Sequence, residues 1–333
     1  MRESLWYEFT NYMHFKEDNM IFQNIKKIVV AGAGTMGSSM AQSFAENGYE
    51  VTIYNRSIEG IDRCKNVIEL NRQTLIKNGV FTAEENDKII GLISYSTDKD
   101  VFKMADLAVE SIAENMAVKQ IFWQEIGAIA KPDAILSTNT SGLSISKIAE
   151  VVANPERFAG FHWVNPPHII PIIEVIKGEK TSDETAVAIK LFAEKIGKET
   201  IEVKDVPGFC FNRFQFAILR EAMYMVEEGI VTKEDVDKVF KYGLGIRYAA
   251  LGPFEIADLG GLDVFYKIIE YLFDDLADNK EPSKLIKECY ESGHFGVKNQ
   301  KGFYDYEQGR DKEVIKSRDE KLLKIVECLY KDK

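Results

Sequence analysis

The chain has 333 residues, and its 42 Lys and Arg against 53 Asp and Glu give a formal net charge of −11. Hydrophobic residues make up 45% of it, so it can form one large or two ordinary globular domains and is not mainly disordered. The acidic balance argues against nucleic acid or an anionic membrane as main partner, since both attract basic surfaces. The scattered cysteines show no metal-ligand spacing, which indicates reduced thiols in the cytoplasm and no bound metal.

Residues 1–24 are interpreted as an N-terminal extension. The segment carries too many charges for a signal peptide, and no later segment is apolar enough to span a membrane. Its aromatic residues suit docking on a protein surface; these are Trp6, Tyr7, Phe9, Tyr12 and Phe15. The alternative is a short extension whose true start is Met20.

Short β-branched segments alternate with longer amphipathic ones from Ile25 onward. The predicted strands are KKIVVAG, YEVTIYN, KIIGLISYS, ADLAVESI, DAILSTN, RFAGFHWV and IPIIEVIKG. This alternation predicts an α/β domain over residues 25–205, with a doubly wound, mostly parallel sheet of Rossmann type.

Helical patterns replace strand patterns after Asp205. A Pro-Gly step breaks the chain, and apolar residues then recur at helical spacing from Phe211 until Gly229 offers a stop. A further helix is predicted in TKEDVDKVF, whose acidic first turn meets the helix dipole. Residues 206–333 are therefore predicted to form an all-α C-terminal domain.

Three glycines follow the first predicted strand in the segment GAGTMG and open a helix. A GxGxxG segment in this context is typical of dinucleotide binding. Gly32 allows the tight turn, Gly34 lets backbone amides approach a pyrophosphate, and Gly37 allows the helix to pack closely on the strand. The phosphates then lie at a helix N-terminus, where unpaired N–H groups favour negative charge. Met36, in the same loop, counts among the predicted cofactor residues.

The end of the second predicted strand bears on the choice between NAD and NADP. An NAD site usually carries an acid there, whereas this chain has Asn55 and Arg56. Asn55 can still hydrogen-bond a ribose hydroxyl, and Arg56 can pair with a 2′-phosphate or stack on adenine. The alternative is that Arg56 is merely solvated and NAD binds with fewer contacts.

The chain has four histidines, so few can act as an acid or base. His162 ends a predicted strand, and a double-proline turn leads into an extended segment that brings Glu174 back beside the imidazole. A carboxylate there fixes the tautomer and stabilises the imidazolium that forms when His162 takes a proton from an alcohol. His168 competes for the role, but it has no equally placed acid.

Further polar side chains are expected near this histidine. Asn139 and Ser141 follow a predicted strand, so they face the ligand crevice at the carboxyl edge of the sheet, and Asn139 is predicted to contact the cofactor. Asn212 opens the long helix at the domain junction, where it either faces the site or bonds the helix backbone. Glu114 and Lys119 follow another strand end; the alternative for both is a solvated helix start.

Several of these segments together resemble the 3-hydroxyacyl-CoA dehydrogenase family. They are GAGTMG, VESIAEN, STNTSGL, HWVNPP with its later EV, and VPGFCFNR, and the likeness spans about residues 25–306. The resemblance implies NAD as cofactor and a homodimer joined through the helical domain, which also contributes to substrate binding.

The resemblance also implies roles for the site residues. His162 would be the catalytic base and Glu174 its partner. Ser141 and Asn212 would hold the 3-oxygen of the substrate and the histidine. The side chains expected near the nicotinamide end of the cofactor are those of Glu114, Lys119 and Asn165.

Two features depart from the acyl-CoA members of the family. Asn55 replaces an acid, and the helix that offers lysines to the CoA phosphates reads RCKNVIELNRQTLIKNGV, with few lysines. Segments such as NPPHIIPIIEV and GLGIRYAALGPFE resemble the branch of L-gulonate 3-dehydrogenase (lambda-crystallin) and carnitine dehydrogenase, whose substrates are small free acids. Arg247 would then clamp a carboxylate through two parallel hydrogen bonds, or else form an ion pair at a surface or interface. GVKNQKGFYDY resembles bacterial hydroxybutyryl-CoA enzymes instead.

The leading prediction is an NAD(P)-dependent oxidoreductase that interconverts an L-3-hydroxyacyl substrate, such as 3-hydroxybutyryl-CoA, and its 3-oxo form. His162 would act as both acid and base. The alternative within enzymes is the same chemistry on a small free 3-hydroxy acid, gulonate-like or carnitine-like. A different class, a crystallin-like dinucleotide-binding protein without catalysis, is opposed by the intact pair of His162 and Glu174.

Overall fold

The computed structural model describes the backbone of residues 20–330 and the side chains of residues 22–330. This part of the chain divides into two compact units: residues 20–212 with 319–326, and residues 213–318 with 327–330. The predicted docking surface of residues 1–19 lies outside the described residues. Helix α1, Met20–Gln23, precedes the first strand.

The first unit is built on an eight-stranded sheet. Its strands are β1 Lys27–Ala31, β2 Glu50–Tyr54, β3 Ile93–Ser96, β4 Leu107–Glu110, β5 Ile135–Thr138, β6 Phe158–Trp163, β7 Ile172–Lys177 and β8 Glu199–Lys204. They lie in the order β3-β2-β1-β4-β5-β6-β7-β8, and every neighbouring pair is parallel except β6 with β7. The predicted doubly wound, mostly parallel sheet is confirmed.

Helices cover both faces of this sheet. They are α2 Thr35–Glu46, α3 Ile58–Lys77, α4 Ala83–Ile90, α5 Met116–Ile129, α6 Ile145–Ala149 and α7 Asp183–Lys195. Successive strand residues point to opposite faces, so Val30 joins a core that includes Phe44 and Phe192, while Val29 joins one that includes Trp123 and Ile126. Burial on both faces explains why the central strands read as continuous apolar runs.

Two details of the sheet differ from the sequence prediction. The first residues of KIIGLISYS end helix α4, which starts with a capping box between Thr82 and Glu85, so the strand begins only at Ile93. Strand β8 was not predicted at all. In the described part of the sheet it pairs only with β7, and its residues are exposed or half-buried, so it lacks the continuous apolar run of the central strands.

The second unit is helical, as predicted. It contains α8 Phe211–Glu227, whose first two residues belong to the first unit, and α9 Lys233–Val239, α10 Gly245–Ala250, α11 Pro253–Gly260, α12 Leu262–Leu272, α13 Lys284–Glu291 and parts of α14 Arg310–Tyr330. A π-helical turn, Phe240–Leu244, joins α9 to α10. Gly229 ends the predicted long helix with a φ of 68°, and Thr232 caps the next one. None of the helices in residues 20–330 is long and apolar enough to cross a membrane.

Candidate active site

The glycine loop lies between β1 and α2, and each of its glycines meets a different environment. A Cβ on Gly32, whose φ is 113°, would lie 2.3 Å from the carbonyl oxygen of Ser111. A Cβ on Gly37 would lie 1.9 Å from the carbonyl oxygen of Gly32, so that position admits only glycine. A Cβ on Gly34 would meet no protein atom within 4 Å. Gly34 therefore borders open space at the start of α2, as a loop that admits a phosphate requires.

A groove of about 490 Å³ extends from this loop. It is lined by Gly32–Gly34, Tyr54–Arg56, Lys99, Ser111–Ala113, Val118, Ile121, Phe122 and Glu125. Asn55 donates its side-chain amide to the backbone oxygen of Ser57 at 3.0 Å, so its own oxygen is the atom that a ribose hydroxyl would meet. Arg56 is exposed at the groove, while Lys99 pairs with Glu125. The residues present therefore fit a dinucleotide.

His162 and Glu174 are directly opposite each other across the antiparallel pair of β6 and β7. The Nδ1 atom of His162 lies 2.6 Å from Oε2 of Glu174, and only 4% of the histidine is exposed. The other carboxylate oxygen, Oε1, accepts the backbone N–H groups of Cys210 and Phe211, both at 2.9 Å. Glu174 thus links strand β7 to the start of helix α8 through hydrogen bonds.

The charge state of Glu174 follows from these contacts. Burial alone raises the pKa of Glu174, but the hydrogen bonds from His162, Phe211 and Cys210 outweigh it, and the pKa lies below its ordinary value. Glu174 is therefore a carboxylate at neutral pH and can only accept hydrogen bonds. The proton of a neutral His162 consequently resides on Nδ1, which leaves Nε2 free to accept a proton from a substrate.

Ser141 is held through its backbone by two of the predicted residues. Its N–H donates to Oε1 of Glu114 at 2.9 Å, and its carbonyl oxygen accepts the side-chain amide of Asn212 at 2.6 Å. Neither bond uses the hydroxyl group, and the residue is exposed. Asn212 thus contacts the loop after β5 in addition to opening helix α8.

Two residues predicted to lie beside the cofactor make polar contacts within the protein. The oxygen of Asn139 accepts the backbone N–H of Trp163 at 2.8 Å, and its amide donates to Ser111 at 3.4 Å. Lys119 is only 1% exposed. Its ammonium lies 2.5 Å from a carboxylate oxygen of Glu110 and 3.4 Å from one of Glu114. Their contacts brace the ends of β4, β5 and β6.

The buried carboxylate of Glu110 was not predicted from the sequence. It accepts hydrogen bonds from Thr138 at 2.8 Å, from the indole of Trp123 at 3.3 Å and from the backbone of Ile112 at 2.8 Å, besides its pair with Lys119. A charged residue that ends an otherwise apolar strand was the available signal. Because β4 and β5 are paired in register, Glu110 lies opposite Thr138.

The remaining predicted site residues have simpler surroundings. Met36 is half-buried and packs against the core, and Asn165 is exposed in the turn after β6, followed by a cis peptide bond to Pro166. His168 is half-buried in the same turn. Arg247 is exposed on helix α10 of the second unit.

A glycine loop at the start of α2, a groove beside it and a histidine oriented by a carboxylate together define a dinucleotide-dependent dehydrogenase. Comparison with known proteins gives the same class. The family model for the NAD-binding domain of 3-hydroxyacyl-CoA dehydrogenase matches residues 27–206, and the model for the C-terminal domain of that enzyme matches residues 208–306.

Individual proteins extend the match along the chain. The probable 3-hydroxybutyryl-CoA dehydrogenase of Bacillus subtilis is 39% identical over 289 residues, which are 85% of this chain and 98% of that protein. A solved structure of 5-formyl-3-hydroxy-2-methylpyridine 4-carboxylic acid 5-dehydrogenase, described as an NAD+-dependent dismutase, gives a TM-score of 0.85 at 34% identity and covers 92% of this chain and 98% of its own. The (S)-3-hydroxybutyryl-CoA dehydrogenase of Ralstonia eutropha gives 0.70 at 32% identity and covers 86% and 100%.

The chain therefore belongs to the 3-hydroxyacyl-CoA dehydrogenase family. The predictions of an NAD-binding oxidoreductase acting on a CH–OH group and of this family are confirmed.

Proposed function

We propose that the protein interconverts an L-3-hydroxyacyl-CoA, such as 3-hydroxybutyryl-CoA, and the 3-oxo form, with NAD as cofactor. The observation that carries the proposal is the 2.6 Å contact between His162 Nδ1 and Glu174 Oε2, because it leaves Nε2 as a base. Relatives named 3-hydroxybutyryl-CoA dehydrogenase that cover most of the chain support the substrate class.

In this proposal Glu114, Lys119 and Asn165 lie near the nicotinamide end of the cofactor, and the other site residues carry out proton transfer and binding. His162 takes the hydroxyl proton in oxidation and returns it in reduction, and Glu174 stabilises the imidazolium in between. The hydroxyl of Ser141 and the amide of Asn212 hold the 3-oxygen of the substrate. NAD, when bound, takes up or supplies the hydride. Its phosphates would lie at the Gly34 turn, and its ribose at the oxygen of Asn55.

The turnover of reduced nicotinamide tests the proposal. The absorbance of reduced nicotinamide is followed as acetoacetyl-CoA is reduced with NADH or NADPH. It is followed in the same way as L-gulonate and L-carnitine are oxidised with NAD+ or NADP+. Turnover of acetoacetyl-CoA is expected. Tight NADH binding without turnover of any of these compounds would instead favour a crystallin-like, non-catalytic protein.

A small carboxylate substrate is the second candidate, and two observations favour it. Both lysines in the lysine-poor stretch of α3 have acidic neighbours, since Lys65 lies 3.5 Å from Asp62 and Lys77 lies 2.8 Å from Glu320. Each lysine therefore has a carboxylate neighbour that offsets part of its attraction for CoA phosphates. The neighbour with a TM-score of 0.85 is named for a pyridine carboxylate. The exposed Arg247 would be the clamp for such a substrate, so activity on acetoacetyl-CoA alone would discard this role.

NADP is the alternative to NAD as cofactor. The absence of a carboxylate at Asn55 removes the repulsion that a 2′-phosphate would meet, and Arg56 lies at the same groove with its side chain exposed. The ratio of NADPH to NADH affinity measures this preference.

We also infer a homodimer formed through the second unit. Large apolar side chains on α8 and α12 are exposed, among them Phe214, Phe216, Leu262, Val264 and Tyr266. Surfaces of this kind are usually covered by a partner. Light scattering after gel filtration should give twice the chain mass, and Phe216→Glu should shift the protein towards the monomer; a wild-type monomer at micromolar concentration would contradict the inference.

A further inference from the structure

We propose that Lys198 is a positioning residue that holds the turn between β6 and β7 in the shape the reaction needs. This turn follows His162 and carries Asn165, so the proposal rests on the proposed function. Lys198 precedes β8 directly, and β8 begins beside the start of β7, where Glu199 donates its N–H to the carbonyl oxygen of Pro171 at 2.7 Å.

The ammonium group of Lys198 contacts this turn at two points and the end of β6 at a third. It donates to the carbonyl oxygen of Pro167 at 2.7 Å and to that of Ile170 at 2.9 Å. It also lies 5.2 Å from the centre of the Trp163 ring, within the range of a cation–π interaction. The contacts fall on both sides of Asn165, one before it and two after it. A single cation therefore fixes the exit from β6 and the entry to β7.

Burial makes this arrangement unusual for a lysine. Only 8% of Lys198 is exposed, and Trp163 is 2% exposed. Burial lowers the pKa of Lys198 to about 8, although the nearby Glu46 carboxylate acts in the opposite direction. A buried ammonium is costly unless its donors are satisfied, so the two carbonyl groups and the lysine depend on one another. The same carbonyl oxygens have no other side chain donating to them among the described residues.

Among residues 22–330, no other cation is recorded in contact with the carbonyl groups of this turn. Lys195, three residues earlier, is exposed and lies 5.7 Å from the centre of the Tyr49 ring. It offers a matched control, because Lys195→Met removes a cation–π contact in the same region without removing a contact to the turn.

The test compares Lys198→Met, which has similar length but no donor, with Lys198→Arg, which keeps several donors. Three quantities are measured: hydrogen exchange of residues 164–171, the Kd of NADH by fluorescence titration, and the separate kcat and KM values. We expect Lys198→Met to speed exchange in this segment and to raise the Kd and KM of NADH on the order of 10-fold, with a smaller change in kcat. Lys198→Arg should recover most of the affinity, and Lys195→Met should behave as wild type.

Unchanged exchange and unchanged NADH affinity in Lys198→Met would overturn the proposal. A loss of thermal stability in Lys198→Met with normal affinity would do so as well, since it would show a role in folding alone. If Lys198→Met does not fold, Lys198→Gln is used, because its amide keeps a donor without the charge. We expect the same changes in hydrogen exchange and NADH affinity, but smaller ones. Exchange and NADH affinity need no substrate, so a failure of acetoacetyl-CoA as substrate overturns the proposed function without deciding this one.

Discussion

Glu174 faces His162 directly across the antiparallel pair of β6 and β7, and the separation of Oε2 and Nδ1 is 2.6 Å. This pairing depends on the one antiparallel junction of the described sheet. A parallel β7 would place its residues in a different register, so the reversal of direction at the turn is what brings the acid beside the histidine.

Glu174→Gln should reduce turnover severely. A neutral amide can present its NH2 group to the imidazole, so the Nδ1–H tautomer is no longer enforced and the imidazolium loses its counter-charge. We expect kcat to fall on the order of 10²–10⁴, with a shifted pH profile of kcat. The NADH affinity serves as control and should stay the same. If both kcat and its pH profile match wild type, Glu174 has only a structural role.

Gly34→Ala and Gly32→Ala should fail in different ways. A Cβ at position 34 meets no protein atom, so Gly34→Ala should keep its Tm but lose NADH affinity on the order of 10-fold, since the methyl group occupies the approach of the phosphate. Gly32→Ala should be strongly destabilised by its φ of 113° and by the carbonyl of Ser111. Calorimetry and fluorescence titration separate the two effects, and equal NADH affinity for wild type and Gly34→Ala would contradict this reading of the loop.

Lys119→Met should lower the free energy of unfolding by about 3–5 kcal/mol, because it leaves the Glu110 carboxylate buried without its partner. Adding Glu110→Gln should restore part of the loss, since the charge is then absent. Lys88→Met is the matched control: Lys88 forms an exposed pair with Glu84 at 3.0 Å, and its loss should cost at most about 0.5 kcal/mol. Urea unfolding gives the free energy of unfolding of the wild type and of these three variants. Equal costs for the buried and exposed lysines would be inconsistent with this account.

Arg56→Asp should weaken NADPH binding on the order of 10-fold or more while affecting NADH much less, because only NADPH carries the 2′-phosphate. Arg63→Asp is the control: it reverses the charge of another exposed arginine, on helix α3, and should change the affinity for neither cofactor. Titration of both cofactors gives the result. If NADPH affinity survives in Arg56→Asp, the residue does not contact the 2′-phosphate.

Asp205 should contribute to stability in a pH-dependent way. Burial raises the pKa of Asp205, but hydrogen bonds from Ser146, Ile145 and Ser144 outweigh this effect and hold it below the ordinary 3.8. The depressed pKa stabilises the fold fully above about pH 3.8, and that contribution is lost as the pH falls through the folded-state value. Asp205→Asn should therefore lose about 1–3 kcal/mol at pH 7, and the difference from wild type should shrink in acid. A difference independent of pH would show that the charge is not involved.

Much of the sheet could be predicted because its central strands are buried on both faces and read as apolar runs. The glycine loop could also be predicted, since steric exclusion of a Cβ at Gly32 and Gly37 dictates glycine at both positions. The position of Glu174 beside His162 followed from a turn between two extended segments. These features depend on local sequence and on simple topology.

Other parts depended on contacts between distant segments. The pair of Glu110 and Lys119 was missed because charged residues near strand ends are usually solvated, and only the sheet order brings Thr138 to the same carboxylate. The hydrogen bond from the backbone N–H of Trp163 to the side-chain oxygen of Asn139, 24 residues earlier in the chain, was not predicted either. Nothing local to Lys198 indicated that its ammonium would reach back to the turn after β6.

The proposed role of His162 as the acid and base of an NADH-dependent reduction is tested most directly by comparing two histidine variants. His162→Gln and His168→Gln are assayed with acetoacetyl-CoA and NADH, and the NADH affinity of each is measured by titration. We predict that His162→Gln loses turnover on the order of 10²–10⁴ with unchanged NADH affinity, while His168→Gln keeps its turnover. Normal turnover in His162→Gln, or an equal loss in His168→Gln, would contradict it.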